Sequence, residues 1–146
     1  MAITSAICNS FKVEILTATH NFTASSGNTF NLALYTSSAT INKSTTAYAS
    51  TNEIANTSGS SYSAKGKALT SVTPVLSSDT AVCDFANISW TSATFTANGC
   101  LIFNDSADSD ESVCTIAFGG DKTVTSGTFT IEFPAASAGT AIIGIA

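Results

Sequence analysis

Near the N-terminus apolar residues recur every three to four positions. Ile7, Phe11, Ile15 and Leu16 share one face, and Lys12 and Glu14 lie on the other. The spacing predicts an amphipathic helix over about 5–18, capped by Ser5 and ending near His20-Asn21. A helix this short must dock on a sheet or a partner. Beyond it the period falls to two. Phe30, Leu32 and Leu34 alternate with Asn31, Ala33 and Tyr35, the pattern of a strand with one buried face. Further strands are predicted at 68–76, 81–90, 93–97, 99–104, 112–118, 124–133 and 140–145. Turn formers separate them: Ser77-Ser78-Asp79, Asn98-Gly99, Asn104 to Glu111, Gly119-Gly120-Asp121-Lys122 and Pro134 to Gly139. Pro74 marks the first of these strands as an edge, because proline cannot donate to a ladder.

Many short strands at this spacing predict one all-β domain over 1–146, mainly antiparallel. Its expected form is a β-sandwich or jelly-roll-like barrel with one N-terminal helix. The expected core is Phe11, Ile15, Leu32, Leu34, Phe85, Ile88, Phe103, Ile116, Phe118, Ile131 and Phe133.

Residues 37–66 break the pattern. Ser, Thr, Asn, Ala and Gly dominate there, with isolated Ile41, Tyr48, Ile54 and Tyr62. The segment is long for an unstructured loop. It reads as an excursion carrying a short helix or hairpin, with side chains too small and polar to form a separate core. Laying it on another subunit would order it cheaply. Tyr48, Ile54 and Tyr62 are then the expected interface anchors, and Lys65 and Lys67 are expected to meet acidic rim residues on a neighbour.

Composition narrows the function. The chain has 146 residues, a net charge of −5 and 10% charged residues, against about 25% in an average protein. It has no Arg and one His, and Ser and Thr make up roughly a third. A surface of hydroxyls and amides suits neutral hydrogen bonding and close packing against protein, and is poorly equipped for catalysis. The acidic balance argues against nucleic acid, which requires clustered cations. No run approaches the ~20 apolar residues of a membrane span. The opening residues lack the features of a signal peptide, which predicts a chain made and used without export.

The chemistry-bearing motifs are sparse. Cys8, Cys83, Cys100 and Cys114 include no CxxC pair and read as free, mostly buried thiols. The loop from Asn104 to Glu111 reads as a solvated acidic turn; a Ca²⁺ site is the alternative, although the EF-hand register is missing. His20 reads as a helix C-terminal residue bonded locally. Gly119-Gly120-Asp121-Lys122 reads as a hairpin turn, not a phosphate loop. The sequons at Asn21, Asn42, Asn56, Asn87 and Asn104 follow from composition. No catalytic residue, metal ligand or cofactor site is predicted, and a glycan site would draw on Trp90 and the three tyrosines.

Several segments together carry a resemblance: Met1-Ala2-Ile3-Thr4-Ser5 with the helix reaching Phe11; His20-Asn21-Phe22; Phe30 to Thr40; Thr46-Ala47-Tyr48; Thr51-Asn52-Glu53-Ile54; Ala117 to Lys122; and Phe129 to Pro134. Over most of its length the chain resembles small virion proteins of tailed bacteriophages. The resemblance implies a capsid decoration (cement) protein that binds the major capsid protein and itself, with a homotrimer as the geometry a capsid axis favours. It implies location in the virion, after assembly in the host cytoplasm. A tail- or fibre-associated virion protein with a host-binding role is the alternative. In this group a Gly-rich stretch falls near residues 56–68; here Ser and Lys dilute it.

Overall fold

A computed structural model describes residues 2–146, so Met1 lies outside the described residues. The chain is mostly antiparallel β, in two sheets, with one short N-terminal helix. The larger sheet has the strand order β1-β7-β6-β2-β3. Its strands are β1 (Ala6–Ile7), β2 (Phe30–Tyr35), β3 (Lys67–Ala68), β6 (Ile88–Asn104) and β7 (Ser112–Ile131). The smaller sheet, β4-β5-β8, comprises Ser71–Ser77, Thr80–Phe85 and Ile143–Ile145. Both contribute to one apolar core, in which Phe22 stacks on Phe30 and Phe85 of the small sheet packs against both rings.

The helix is shorter than its periodicity predicts. α1 covers Asn9–Glu14 only, its N-cap position is Cys8, and no side chain caps it. Ile7 is recruited instead into β1, opposite Cys114 of β7. Ser5 does not cap the helix; its Oγ accepts the Ala117 N–H at 2.9 Å. Ala18 adopts a left-handed φ of 60°, which ends the helical path, and Leu16 is 86% exposed. Pairing with a strand edge has overridden a marginal local helix.

β6 merges the end of the predicted strand 81–90 with 93–97 and 99–104, and β7 merges 112–118 with most of 124–133. The two turn signals within them, Asn98-Gly99 and Gly119-Gly120-Asp121-Lys122, lie opposite one another. Ala97 pairs with Lys122 and Gly99 with Ala117, so four residues of β7 face Asn98 alone. Gly119 and Gly120 have φ of 73° and 137°, and Asn98 Nδ2 donates to Asp121 Oδ1. Together they form one bulge that bends a long ribbon, not two hairpins. The true hairpin loop of this ribbon is 105–111. The predicted strand 81–90 breaks at 86–87, and 140–145 shrinks to Ile143–Ile145. Pro74 does lie on an edge strand: β4 is outermost, with a register shift between Val72 and Val75.

β2 is buried on both faces, not one. Phe30, Leu32 and Leu34 join the main core, while Ala33 and Tyr35 join a second cluster with Ile3, Ala39, Ile41, Leu101 and Phe103. The segment 37–66 supplies part of that cluster. It contains no helix and no strand, only tight turns and isolated bridges. It does form a core, because the sheet provides the larger half of the apolar surface.

Six of the expected core residues are buried: Phe11, Leu32, Leu34, Phe85, Ile88 and Phe103. Ile15, Ile116, Phe118, Ile131 and Phe133 are only half-buried. All but Ile15 line one open cleft.

Candidate functional site

The excursion closes the free edge of β2. β3 pairs with β2 only at Asn31 and Leu32, which leaves the outward groups of Leu34 without a strand partner. Tyr62 Oη accepts the Leu34 N–H at 2.8 Å, and the Ile54 N–H donates to the Leu34 carbonyl at 2.9 Å. Tyr62 then donates to Glu53 Oε1 at 2.8 Å, and Tyr48 donates to Glu53 Oε2. Burial, followed by the Glu53 hydrogen bond, pushes the Tyr48 phenol up to about 12. Burial likewise raises Tyr62 and Tyr35 well above the ordinary tyrosine range.

A second clasp follows from the first. The Tyr48 ring stacks on Phe103 at 4.8 Å, and the Lys65 ammonium lies 5.9 Å from its centroid. Lys65 Nζ bridges Asp105 at 2.9 Å and Asp110 at 2.8 Å. Asp110 first, then Asp105, holds the Lys65 ammonium above its usual range. The acidic loop is therefore organised around a lysine of this chain, and two of its carboxylates are not left to solvent. Gly66, with φ +67°, is required next to it, since a Cβ would sit 1.9 Å from the Leu32 carbonyl oxygen.

These contacts relocate the expected anchors. Ile54 and Tyr62 are buried in the chain's own core and offer no side chain to a partner. Tyr48 is half-buried, and Lys65 meets acidic residues of its own chain, in the 105–111 loop. Lys67 is exposed and donates to the Ser89 carbonyl at 2.7 Å. Glu53, which joins the two tyrosines, was not distinguished by the sequence pattern; a lone carboxylate between two aromatics in a polar stretch is its only signal. What remains outward on the excursion is a run of small polar residues, with Thr51, Asn52, Asn56, Thr57 and Ser58 all exposed.

The apolar cleft is the second feature. It measures about 840 Å³ and is lined chiefly by Ile7, Ile116, Phe118, Phe129, Ile131 and Phe133. Lys122 and Pro134 also border it. It lies along the outer edge of β7, which β1 covers only at Cys114 and Thr115. Alternation puts Ile116 and Phe118, and Ile131 and Phe133, on one face of their strands but does not report whether a second layer covers that face.

The remaining candidates are structural. His20 is buried; Asn104 Nδ2 reaches its Nδ1 at 3.2 Å and Glu14 Oε2 lies 2.9 Å from Nε2. An amide NH₂ can only donate, so the proton sits on Nε2 and is given to Glu14. Asn104 is fully buried, which removes it as a glycan acceptor. All four cysteines are free thiols. Burial raises each of them, Cys114 up to about 12, so none is poised as a nucleophile. Trp90, Tyr35 and Tyr62 are no more than 4% exposed and cannot serve as glycan-stacking platforms. Among the described residues no group of three or more His, Cys, Asp or Glu is placed to hold a metal ion, and no helix is long and apolar enough to cross a membrane. The chain matches no protein-family model, no curated protein and no solved structure.

Proposed function

We propose that this chain is a bacteriophage virion structural protein. Specifically, it is a capsid decoration (cement) protein that stabilises the head by binding the major capsid protein and copies of itself, most simply as a trimer. The observation that carries the reading is the pinned excursion. A run of short, neutral, exposed side chains around Thr51 to Ser58 rides on a backbone fixed by Glu53, Tyr62 and Ile54. Such side chains have little rotamer entropy to lose, and a fixed backbone has already met its ordering cost. A surface of this kind adds binding energy to an assembled shell and so stabilises it by mass action. The role is structural, not enzymatic. The tail- or fibre-associated alternative, with a host-binding role, draws less support, because three of the four aromatic residues that a glycan would use, Trp90, Tyr35 and Tyr62, are buried.

Deleting 40–64 is not a clean test, since it removes Ile41, Ile54 and Tyr62 from the core. Point changes are. Thr51→Arg with Thr57→Arg places two long cations on the exposed turns. Titrated against particles stripped of this chain, the double variant should bind at least ~10-fold more weakly, with its unfolding midpoint unchanged. Wild-type occupancy by the variant would remove the excursion as the capsid contact.

A further inference from the structure

The two nitrogens of the buried His20 ring face opposite kinds of group. Nε2 faces the Glu14 carboxylate of α1 at 2.9 Å, and Nδ1 faces the Asn104 amide nitrogen of β6 at 3.2 Å. The remaining neighbours of the ring are apolar: Phe11 of α1, Phe22, and Phe30 of β2. A neutral ring protonated on Nε2 suits both sides. A second proton, on Nδ1, would point one donor at another.

The Asn104 amide cannot turn to receive that proton. Its Oδ1 accepts the Ser106 N–H at 3.0 Å. Its Nδ2 also reaches the Thr19 carbonyl at 3.1 Å and Asn28 Oδ1 at 3.2 Å. Rotation would set a nitrogen against the Ser106 N–H and an oxygen against two acceptors. Asn104 is fully buried, so solvent does not relieve the mismatch. A charged His20 is therefore drawn to Glu14 and repelled by Asn104.

Asn104 is the root of the 105–111 loop. The Ser106 N–H hangs on its side chain, the Thr29 N–H donates to Ser106 Oγ at 2.8 Å, and the Asp105 N–H donates to the Thr29 carbonyl at 2.9 Å. From this loop Asp105 and Asp110 grip Lys65, the clasp on the excursion. Glu14, Asp105, Asp110 and Lys65 are thus the charged groups tied to the node, and only Glu14 touches the ring among the described residues.

We infer that His20 is a proton-operated coupling between α1 and the 105–111 loop. Neutral, it holds the loop in place through Asn104. Protonated, it exchanges Asn104 for Glu14 and loosens the loop together with the Lys65 clasp. Histidine is the side chain whose charge ordinarily changes between pH 5 and 8. The proposal does not rest on the capsid reading, because it concerns the isolated chain.

Global stability is a poor readout, since attraction to Glu14 offsets the loss at Asn104. Local opening is the direct one. NMR of the wild-type chain from pH 8 to pH 5 reads the charge of His20 from its ring protons. In the same samples, exchange of the Ser106 and Asp105 amides, corrected for the intrinsic pH dependence, reads the loop. Protection of Ser106 should fall at least ~10-fold, the scale of one buried donor left unpaired, with the same midpoint as the ring. In His20→Gln, which cannot titrate, protection should stay constant over this range, with circular dichroism checking the fold. A His20 ring that remains uncharged down to pH 5 overturns the proposal, as does a loop that keeps its protection while the ring titrates. Opening that persists in His20→Gln also overturns it, because the response would then belong to Asp105 or Asp110.

Discussion

The hydroxyl of Tyr62 does two things that no neighbour can take over, and removing it should be costly. In Tyr62→Phe the ring keeps its place against Trp90 and Phe95. The Leu34 N–H, however, loses its acceptor in a fully buried strand, and Glu53 loses a donor. An orphaned buried donor costs about 1–3 kcal/mol, and a hydrogen bond to a charged group contributes about 1.5–3 kcal/mol. Both run through one oxygen, so the two are not independent, and the loss should centre on about 3 kcal/mol. For a chain of this length that lowers Tm by roughly 10 °C. Tyr48→Phe is the control. It also removes a hydrogen bond to Glu53, but from a half-buried ring that remains stacked on Phe103, and no fully buried backbone group loses its acceptor. It should cost only about 1 kcal/mol. Urea unfolding of both variants, with hydrogen exchange at the Leu34 amide, reads the difference. Equal losses at the two tyrosines, or an unchanged Leu34 exchange rate in Tyr62→Phe, would refute the view that the excursion completes the β2 edge.

Alkaline pH should weaken the fold. Cys100, Cys114, Tyr35 and Tyr62 are acids whose folded pKa values burial raises, so the unfolded chain sheds their protons first. Stability is then unaffected below about pH 8.5 and falls as pH rises from there toward the folded values. A denaturation midpoint that stays flat from pH 8.5 to 11 would contradict this. Gly66→Ala should destabilise by at least ~2 kcal/mol, because the left-handed backbone and the Leu32 carbonyl both exclude a Cβ. Gly59→Ala, also left-handed but in open space, isolates the backbone part and should cost less in the same melt; equal costs would show that contact with β2 is not what Gly66 provides.

The β class was legible because hydrophobic alternation is a local signal, and the edge position of β4 was legible because Pro74 carries its own mechanism. Local signals failed where the partner is distant. Ile7 sits on a good helical face, yet Cys114, far along the chain, claims it for a sheet. Asn98-Gly99 and Gly119-Gly120 are genuine turn signals that, paired across two strands, produce a bend in place of hairpins. The excursion was misread for the complementary reason. Its few apolar residues cannot build a core among themselves, but nothing in their spacing reports that Leu101, Phe103 and Tyr35 await them on the sheet. The interface anchors moved inward with it: aromatics isolated among small polar residues look alike whether they reach toward a partner or back to their own backbone.

The central claim is that this chain decorates a phage head, and its place on the intact particle tests that most directly. Cryo-electron microscopy of the virion that contains it, with the two-sheet fold fitted into the density, should find many copies spread over the capsid, each laying the turns around Thr51 to Ser58 on the major capsid protein. Density for a few copies confined to the tail, or a head surface without this fold, would contradict the account.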